Sequence, residues 1–332
     1  MLEFLLPYFL FVIGFIFLIR GADVLIDGAS TLAKRIGISD LIVGLTVVAF
    51  GTSLPELIVN VFASSEGASD IAIGNVVGSN IANILLILGI VALIKPLPVR
   101  RLTVWREILF SVLAAFVLAV LVSDHFIDTS FFNGLNQIDG FVLITYFGLF
   151  LFYTFGNRSH LNSADIPKRK KGDAPAHIEV ARTLTLIIMG IVGLALGGKW
   201  IVDGASAIAA GFGISDAIIS LTVVAIGTSA PELAASIAAV KKDNVDVAVG
   251  NAVGSNLFNT FWVLGLSAFI NPMRISDALY VDIMIAVAVA CILFLSMLWG
   301  KTRHSLERRE GVIFVSLYIA YIGFLISREI WF

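Results

Sequence analysis

Charge is what this sequence is short of. Only 14% of its 332 residues are Asp, Glu, Lys or Arg, where a soluble globular domain carries about 25%. Cysteine is almost missing as well. The single Cys291 can form no internal disulfide, so thiol content says nothing about a redox compartment. The four histidines, His125, His160, His177 and His304, all fall outside the apolar runs, which leaves no His or Cys cluster for a buried zinc or copper centre. The first residues lack a basic stretch and a small-residue cleavage site, so the opening apolar run reads as a retained helix and not as a removed leader. Short segments of alternating polarity, the mark of a membrane β-barrel, are not seen either.

Hydrophobic residues make up 58% of the chain. Runs long enough to cross a bilayer, about 20 residues in a helix, recur along its whole length. The expected fold is all-α and polytopic, with ten transmembrane helices at roughly 4–33, 41–63, 72–93, 107–123, 139–155, 183–210, 218–240, 248–270, 281–299 and 311–327. The first and sixth exceed what a span needs, which suggests tilt. Little chain remains for a separate soluble domain.

The few charges are sorted by loop. Lys34 and Arg35 lie in loop 1–2; Lys95, Arg100, Arg101 and Arg106 in loop 3–4. Loop 5–6 holds Arg158, Lys168, Arg169, Lys170, Lys171 and Arg182, loop 7–8 has Lys241 and Lys242, and loop 9–10 has Lys301, Arg303, Arg308 and Arg309. Even-numbered loops contain only Arg274. Odd loops are therefore expected in the cytoplasm and both termini outside. The basic stretch in loop 5–6 reads as a solvated linker that helps to fix orientation.

The chain also repeats itself. Shifted by 176 residues, Asp27-Gly28-Ala29-Ser30 falls on Asp203-Gly204-Ala205-Ser206, Glu56 on Glu232, and "GNVVGSN" from Gly74 on "GNAVGSN" from Gly250. Each half holds five expected spans, an odd number, so the second copy must enter the membrane in the opposite sense. The expected organisation is a first inverted repeat at 1–157, a cytoplasmic linker at 158–182 and a second inverted repeat at 183–332. Secondary transporters use this architecture, with the substrate site where the repeats meet.

One repeated stretch carries the chemistry. "VVAFGTSLPEL" from Val47 and "VVAIGTSAPEL" from Val223 each set Gly, Pro and Glu inside an apolar run. Pro55 and Pro231 lack an amide hydrogen and their rings crowd the preceding turn, at Gly51 and Gly227, so the second and seventh spans are expected to break. Freed carbonyls at that depth need protein, water or an ion. Thr52, Ser53, Thr228 and Ser229 add oxygens beside the breaks. Glu56 and Glu232 supply carboxylates whose burial at the bilayer centre costs at least about 2.5–3.5 kcal/mol each. Brought together, they would require a cation, a proton or both. Ser79 and Asn83, and likewise Ser255 and Asn259, are four residues apart and share a helix face. The set is all oxygen, which suits a hard cation such as Ca²⁺ or Na⁺. Asp27 and Asp203 follow Arg20 and Lys199 at helical distances and are expected to pair locally or to anchor at the membrane interface; Asp40 and Asp216 are expected to cap the helices that follow them.

At these residues the sequence resembles the cation/calcium exchanger superfamily, its sodium/calcium exchanger branch in particular. The family's α-repeats look like "GTSLPE" with "GNVVGSNIAN" and "GTSAPE" with "GNAVGSNLFN". The resemblance covers essentially the whole chain and implies ten helices, with the first and sixth slanting across the other eight. It implies that Glu56 and Glu232 are the Ca²⁺ carboxylates and that Thr52 and Thr228 give backbone oxygen to Ca²⁺. Ala49 and Ala225 would give carbonyls, and Ser53 and Ser229 hydroxyls, to Na⁺. Ser79 and Ser255 would also face Na⁺, with Asn83 and Asn259 beside the centre. Potassium-dependent relatives have Asp where this chain has Asn259, which argues against a K⁺ requirement. What the resemblance implies is an antiporter of the cell membrane that exchanges Ca²⁺ for Na⁺. No enzymatic activity, cofactor, nucleic acid or obligate protein partner is expected. The rival readings are a proton/calcium exchanger, which would identify itself by Ca²⁺ flux under a pH gradient without Na⁺, an intramembrane hydrolase and an ion channel.

Overall fold

The structure is a computed structural model and describes residues 2–123, 133–156, 176–211, 225–299 and 302–331. It is helical almost throughout. In chain order the helices are α1 (Leu2–Ile36), α2 (Asp40–Thr52), α3 (Leu54–Ser65), α4 (Ser69–Ile94), α5 (Arg101–Leu121), α6 (Gln137–Gly156), α7 (Ala176–Gly211), α8 (Ala225–Thr228), α9 (Ala230–Lys241), α10 (Val245–Ile270), α11 (Asp277–Trp299) and α12 (Arg308–Trp331). Among the described residues eight helices are long and apolar enough to cross a bilayer, and the bent pair α2–α3 makes a ninth if counted as one span. The start of the expected seventh span, Asp216 and the linker from 158 to 175 lie outside the described residues. Four two-residue strands depart from a purely helical reading: β1 (Leu97–Pro98), β2 (Gly134–Leu135), β3 (Met273–Arg274) and β4 (Ser305–Leu306). β1 pairs antiparallel with β4, and β2 with β3. Loop 3–4 is thus bonded to loop 9–10, and loop 4–5 to loop 8–9. Odd loops bond to odd and even to even.

The chain divides into two compact units. The first comprises Met1–Thr52, Tyr153–Asn251 and Tyr321–Phe332. Its frame is the antiparallel pair of its longest helices, α1 and α7, which meet backbone to backbone along a seam of glycines. Gly14, Gly21 and Gly28 on α1 match Gly190, Gly197 and Gly204 on α7 at the 176-residue offset. A Cβ added at Gly21 would lie 2.7 Å from the Leu194 nitrogen, and one at Gly197 2.5 Å from the Leu18 nitrogen. Small residues let membrane helices approach this closely, and dispersion between the backbones then holds them. The motif glycines act similarly. A Cβ on Gly51 would strike the Ile191 side chain on α7 at 2.7 Å, and one on Gly250 the Leu41 carbonyl at 2.7 Å. Gly51 therefore makes room for a neighbouring helix inside an intact turn; weakening its own helix is not its main use.

Charge pairing in this unit is only partly local. Lys199 Nζ reaches Asp203 Oδ2 one turn along α7 at 2.6 Å, as expected. Asp27 instead pairs with Lys242, at the C-terminal end of α9, at 2.7 Å. The same ammonium donates to the Asp23 carbonyl at 2.8 Å, so it fastens α9 to α1. The cap of α2 is also one residue from where it was expected. The Ser39 hydroxyl accepts from the Ile42 nitrogen at 3.3 Å, and Asp40 is the first helical residue. There its carboxylate favours the positive end of the helix dipole without capping it.

The second unit comprises Ser53–Phe152 and Ala252–Ala320. It packs α3, α4, α5, α6 and α11 with the later turns of α10 and most of α12. Its glycines serve the same end: a Cβ on Gly140 would meet the Phe269 nitrogen at 2.5 Å. Both matched helices carry a π turn in mid-span, Asn83–Leu88 in α4 and Phe258–Val263 in α10. A further π turn occupies Val104–Ile108, and the first unit has one at Gly44–Val48. Such bulges widen a helix by one residue and are frequent at functional sites.

Candidate ion-binding site

The two Pro–Glu motifs fold alike. The turn before each proline stops at a serine, Ser53 with φ −87° and ψ 8°, Ser229 with φ −86° and ψ 2°. Each proline then lies in the first turn of a new helix, where its missing N–H costs nothing and its fixed φ is already helical. The Leu57 and Leu233 nitrogens open the new ladders by donating to the Ser53 and Ser229 carbonyls, both at 3.1 Å. The bend between α2 and α3 is 49°. The expected break is therefore present in both halves, two residues before each proline.

Each break is followed by a glutamate in the first turn of the new half-helix. Glu56 and Glu232 are the third residues of α3 and α9 and are fully buried. Unsatisfied N–H groups there act as roughly half a positive charge. The other buried charged side chains among the described residues are Asp139 and Asp282, both acidic.

The first unit holds Ala49, Thr52, Ala225, Thr228, Ser229 and Glu232. Ala49 and Thr52 are wholly buried at the end of α2, and Ala225 opens α8. Thr52 and Glu232 are joined through Asn251, on α10. The Thr52 hydroxyl donates to Asn251 Oδ1 at 3.1 Å. Asn251 Nδ2 donates to the Glu232 carbonyl at 3.1 Å and to Ser236 Oγ at 3.0 Å. The Ser229 hydroxyl is buried and has no hydrogen-bond partner among the described residues.

The second unit holds Ser53, Glu56, Ser79, Asn83, Ser255 and Asn259. All six side chains are buried. The Glu56 carbonyl accepts from Asn60 Nδ2, one turn along α3, at 2.8 Å. Asn83 donates from Nδ2 to Asn256 Oδ1 at 2.9 Å, and Asn256 Nδ2 is held by the Asn80 carbonyl at 3.3 Å. This fixes which way the Asn83 amide points. Its Oδ1, the hydroxyls of Ser79 and Ser255, and both polar atoms of Asn259 are buried without a hydrogen-bond partner among the described residues. An unmet buried polar atom costs about 1–3 kcal/mol. Ser79, Asn83, Ser229, Ser255 and Asn259, all picked out by the repeated pattern, carry such atoms.

Among the described residues no group of three or more His, Cys, Asp or Glu could by itself hold a metal ion. The donors available are hydroxyls, amides, carbonyls and a carboxylate in each unit, which suit hard cations. Sequence reasoning passed over Asn251 and Asn256, although both stand inside the quoted "GNAVGSN". The signal was present: each is an amide in an apolar span and is matched by Asn75 or Asn80 at the repeat offset.

Buried acids at helix breaks, in a chain of helices long and apolar enough to cross a bilayer, mark a polytopic membrane protein with a polar interior. Comparison with known proteins narrows the class. The family model described as sodium/calcium exchanger protein matches residues 6–156 and 182–327. The chain is 36% identical over 321 residues to the putative antiporter CaxA of Alkalimonas amylolytica, covering 95% of this chain and 97% of that one. It is 32% identical over 352 residues to the sodium/calcium exchanger MaX1 of Methanosarcina acetivorans, covering 95% and 97%. Over 222 residues, 64% of this chain and 63% of the other, it is 27% identical to the Ca(2+)/H(+) antiporter ChaA of Bacillus subtilis. The solved structure of the sodium-calcium exchanger NCX_Mj soaked with 10 mM Na⁺ and zero Ca²⁺ superposes with a TM-score of 0.82 at 32% identity, covering 96% of this chain and 99% of that one. The chain belongs to the sodium/calcium exchanger family and is a multi-pass integral membrane protein.

Proposed function

We propose that this protein exchanges Ca²⁺ for Na⁺ across the cell membrane by alternating access, with Na⁺ entry driving Ca²⁺ efflux and without a K⁺ requirement. The observation that carries this reading is the pair of fully buried glutamates, Glu56 and Glu232, each third in a half-helix that begins at a mid-span break. The unmet oxygens of Ser79, Asn83, Ser229, Ser255 and Asn259 support it. In this reading Glu56 and Glu232 are the Ca²⁺ carboxylates, and Thr52 and Thr228 add backbone oxygen. Ala49, Ala225, Ser53, Ser229, Ser79 and Ser255 serve Na⁺, with Asn83 and Asn259 beside the centre. Two anionic side chains without cations are too costly to carry through an occluded state, which enforces exchange over leak. The neutral amide at Asn259 gives the site one carboxylate fewer than a potassium-dependent exchanger has.

Ten spans in two inverted repeats, with both termini outside, complete the proposal. The antiparallel run of α1 against its match α7 supports the inversion. The pairing of odd loops with odd loops and even with even supports the sidedness. A second reading, proton-driven Ca²⁺ exchange, is favoured by the match to ChaA.

Proteoliposomes that hold the purified protein separate the two. Radiolabelled calcium uptake is measured under Na⁺, K⁺ or H⁺ gradients imposed one at a time. Uptake driven by an outward Na⁺ gradient alone is the expected result. Uptake driven by a pH gradient in the absence of Na⁺ would assign the proton reading, and flux indifferent to every counter-ion would make the protein a channel.

A further inference from the structure

Asn251 is fully buried, and its amide has no spare capacity on the donor side. Both Nδ2 hydrogens are committed, one to the Glu232 carbonyl and one to Ser236 Oγ. Turning the amide over would set Oδ1 against the Glu232 carbonyl, acceptor against acceptor, so its orientation follows from its partners. Oδ1 is then left to accept from the Thr52 hydroxyl. One side chain on α10 thereby reaches both Pro–Glu motifs, the end of α2 and the first turn of α9.

The Thr52 hydroxyl has a single proton and two acceptors within reach, Asn251 Oδ1 at 3.1 Å and the Ala49 carbonyl at 3.2 Å. The Ala49 bond stays within α2, and the Asn251 bond is the one that ties Thr52 to α10.

The repeat has the same parts but not the same bonds. Asn75 matches Asn251, yet its Nδ2 is buried with no hydrogen-bond partner among the described residues. The Glu56 carbonyl is held from its own helix, by Asn60, the match of Ser236. The Glu232 carbonyl is tied to α10 by this motif residue.

We propose that Asn251 is a positioning residue for the cation site: it clasps the two broken spans, fixing Thr52 and the backbone at Glu232. The proposal rests on the cation-site reading above, and its test is direct binding, which needs no driving ion. Equilibrium binding of radiolabelled calcium is measured on purified wild type, Asn251→Leu, Thr52→Val, Thr52→Ser and the double variant Asn251→Leu/Thr52→Val. Loss of one or two buried hydrogen bonds predicts a rise of about tenfold in the half-saturating Ca²⁺ concentration for Asn251→Leu and Thr52→Val. Thr52→Ser keeps the hydroxyl and binds like wild type. The double variant is weaker than wild type by much less than the product of the single effects, because both remove one interaction.

A merely structural Asn251 would lower the number of sites per protein and leave half-saturation unmoved, which overturns the clasp. If Asn251→Leu fails to fold, the Thr52 pair decides: equal binding by Thr52→Val and Thr52→Ser overturns it as well. Wild type that binds Ca²⁺ but shows no Na⁺-driven flux refutes the exchange reading and leaves the clasp standing. Wild type that binds no Ca²⁺ refutes both.

Discussion

Gly197→Ala tests the close backbone approach of α7 to α1. The new methyl would lie 2.5 Å from the Leu18 nitrogen, 2.7 Å from the Gly14 carbonyl oxygen and 2.9 Å from the Leu18 Cα. All three atoms are backbone, so no side chain can swing aside. Ordinary contact is about 3.5–4 Å between carbons, so α1 must retreat from α7 by about 1 Å. Overpacking of this kind costs roughly 1–3 kcal/mol. Alanine's better helix propensity returns about 0.5–1 kcal/mol of that, for a net loss near 1–2 kcal/mol. Gly148→Ala is the control, because a Cβ there meets nothing within 4 Å, so only the propensity gain remains. Thermal unfolding of both variants in the same detergent should move in opposite directions from wild type. Equal or greater stability of Gly197→Ala would mean that α1 and α7 do not approach as described.

Other substitutions probe the site and its frame. Glu56→Gln or Glu232→Gln should abolish Na⁺-driven Ca²⁺ uptake in proteoliposomes; near-normal exchange in both would remove these carboxylates from the site. Asn259→Asp places a carboxylate where an amide lacks any partner among the described residues. The expected result is a lower half-saturating Ca²⁺ concentration in equilibrium binding, since opposite charges about 4 Å apart gain a few kcal/mol at an effective dielectric of 20. Lys242→Ala should cost at most about 1 kcal/mol, since its partners are half exposed. That loss should shrink in high salt, read from thermal midpoints at two ionic strengths. Gly67→Ala should cost roughly 1–2 kcal/mol, because φ there is +76°. Gly67→Asn should be milder, since Asn tolerates that region best after Gly and Asp243 occupies it, at +59°, in the matched turn.

The parts of this fold that local chemistry determines were legible. Proline and glutamate inside apolar runs announced the two breaks, and the period of the repeat announced that there would be two. The break itself falls at Ser53 and Ser229, because a proline is comfortable one or two places inside a new helix and need not end the old one. Residues that depend on distant partners were not legible. Lys242 meets α1 across 215 positions of sequence, and nothing near Asp27 announces it. Helical spacing instead suggested Arg20. The π turns after Ala82 and Leu257 leave no compositional mark, since one extra residue in a helix is decided by packing. Asn251 and Asn256 stand inside the repeated motif, but their partners Thr52, Glu232, Ser236, Asn80 and Asn83 are distant in sequence, so no local pattern reveals their bonds. The two-residue strands follow from loops that happen to lie side by side, too short for any pattern to reveal.

The hairpins that follow α3 and α9 are built on one template. Ala68 N bonds the Ala63 carbonyl at 2.8 Å and Asn244 N the Ala239 carbonyl at 2.9 Å, around a left-handed residue in each. Yet one carries Glu66 where the other carries Lys242. Shape and electric sign have thus been inherited separately. If the duplicated halves lie head to tail in the lipid, identical turns emerge on opposite faces, and each must bear the polarity that its own face demands. Swapping Glu66 and Lys242 would then remove part of the information that tells the chain which way up to insert, and would also undo the bond from Lys242 to Asp27.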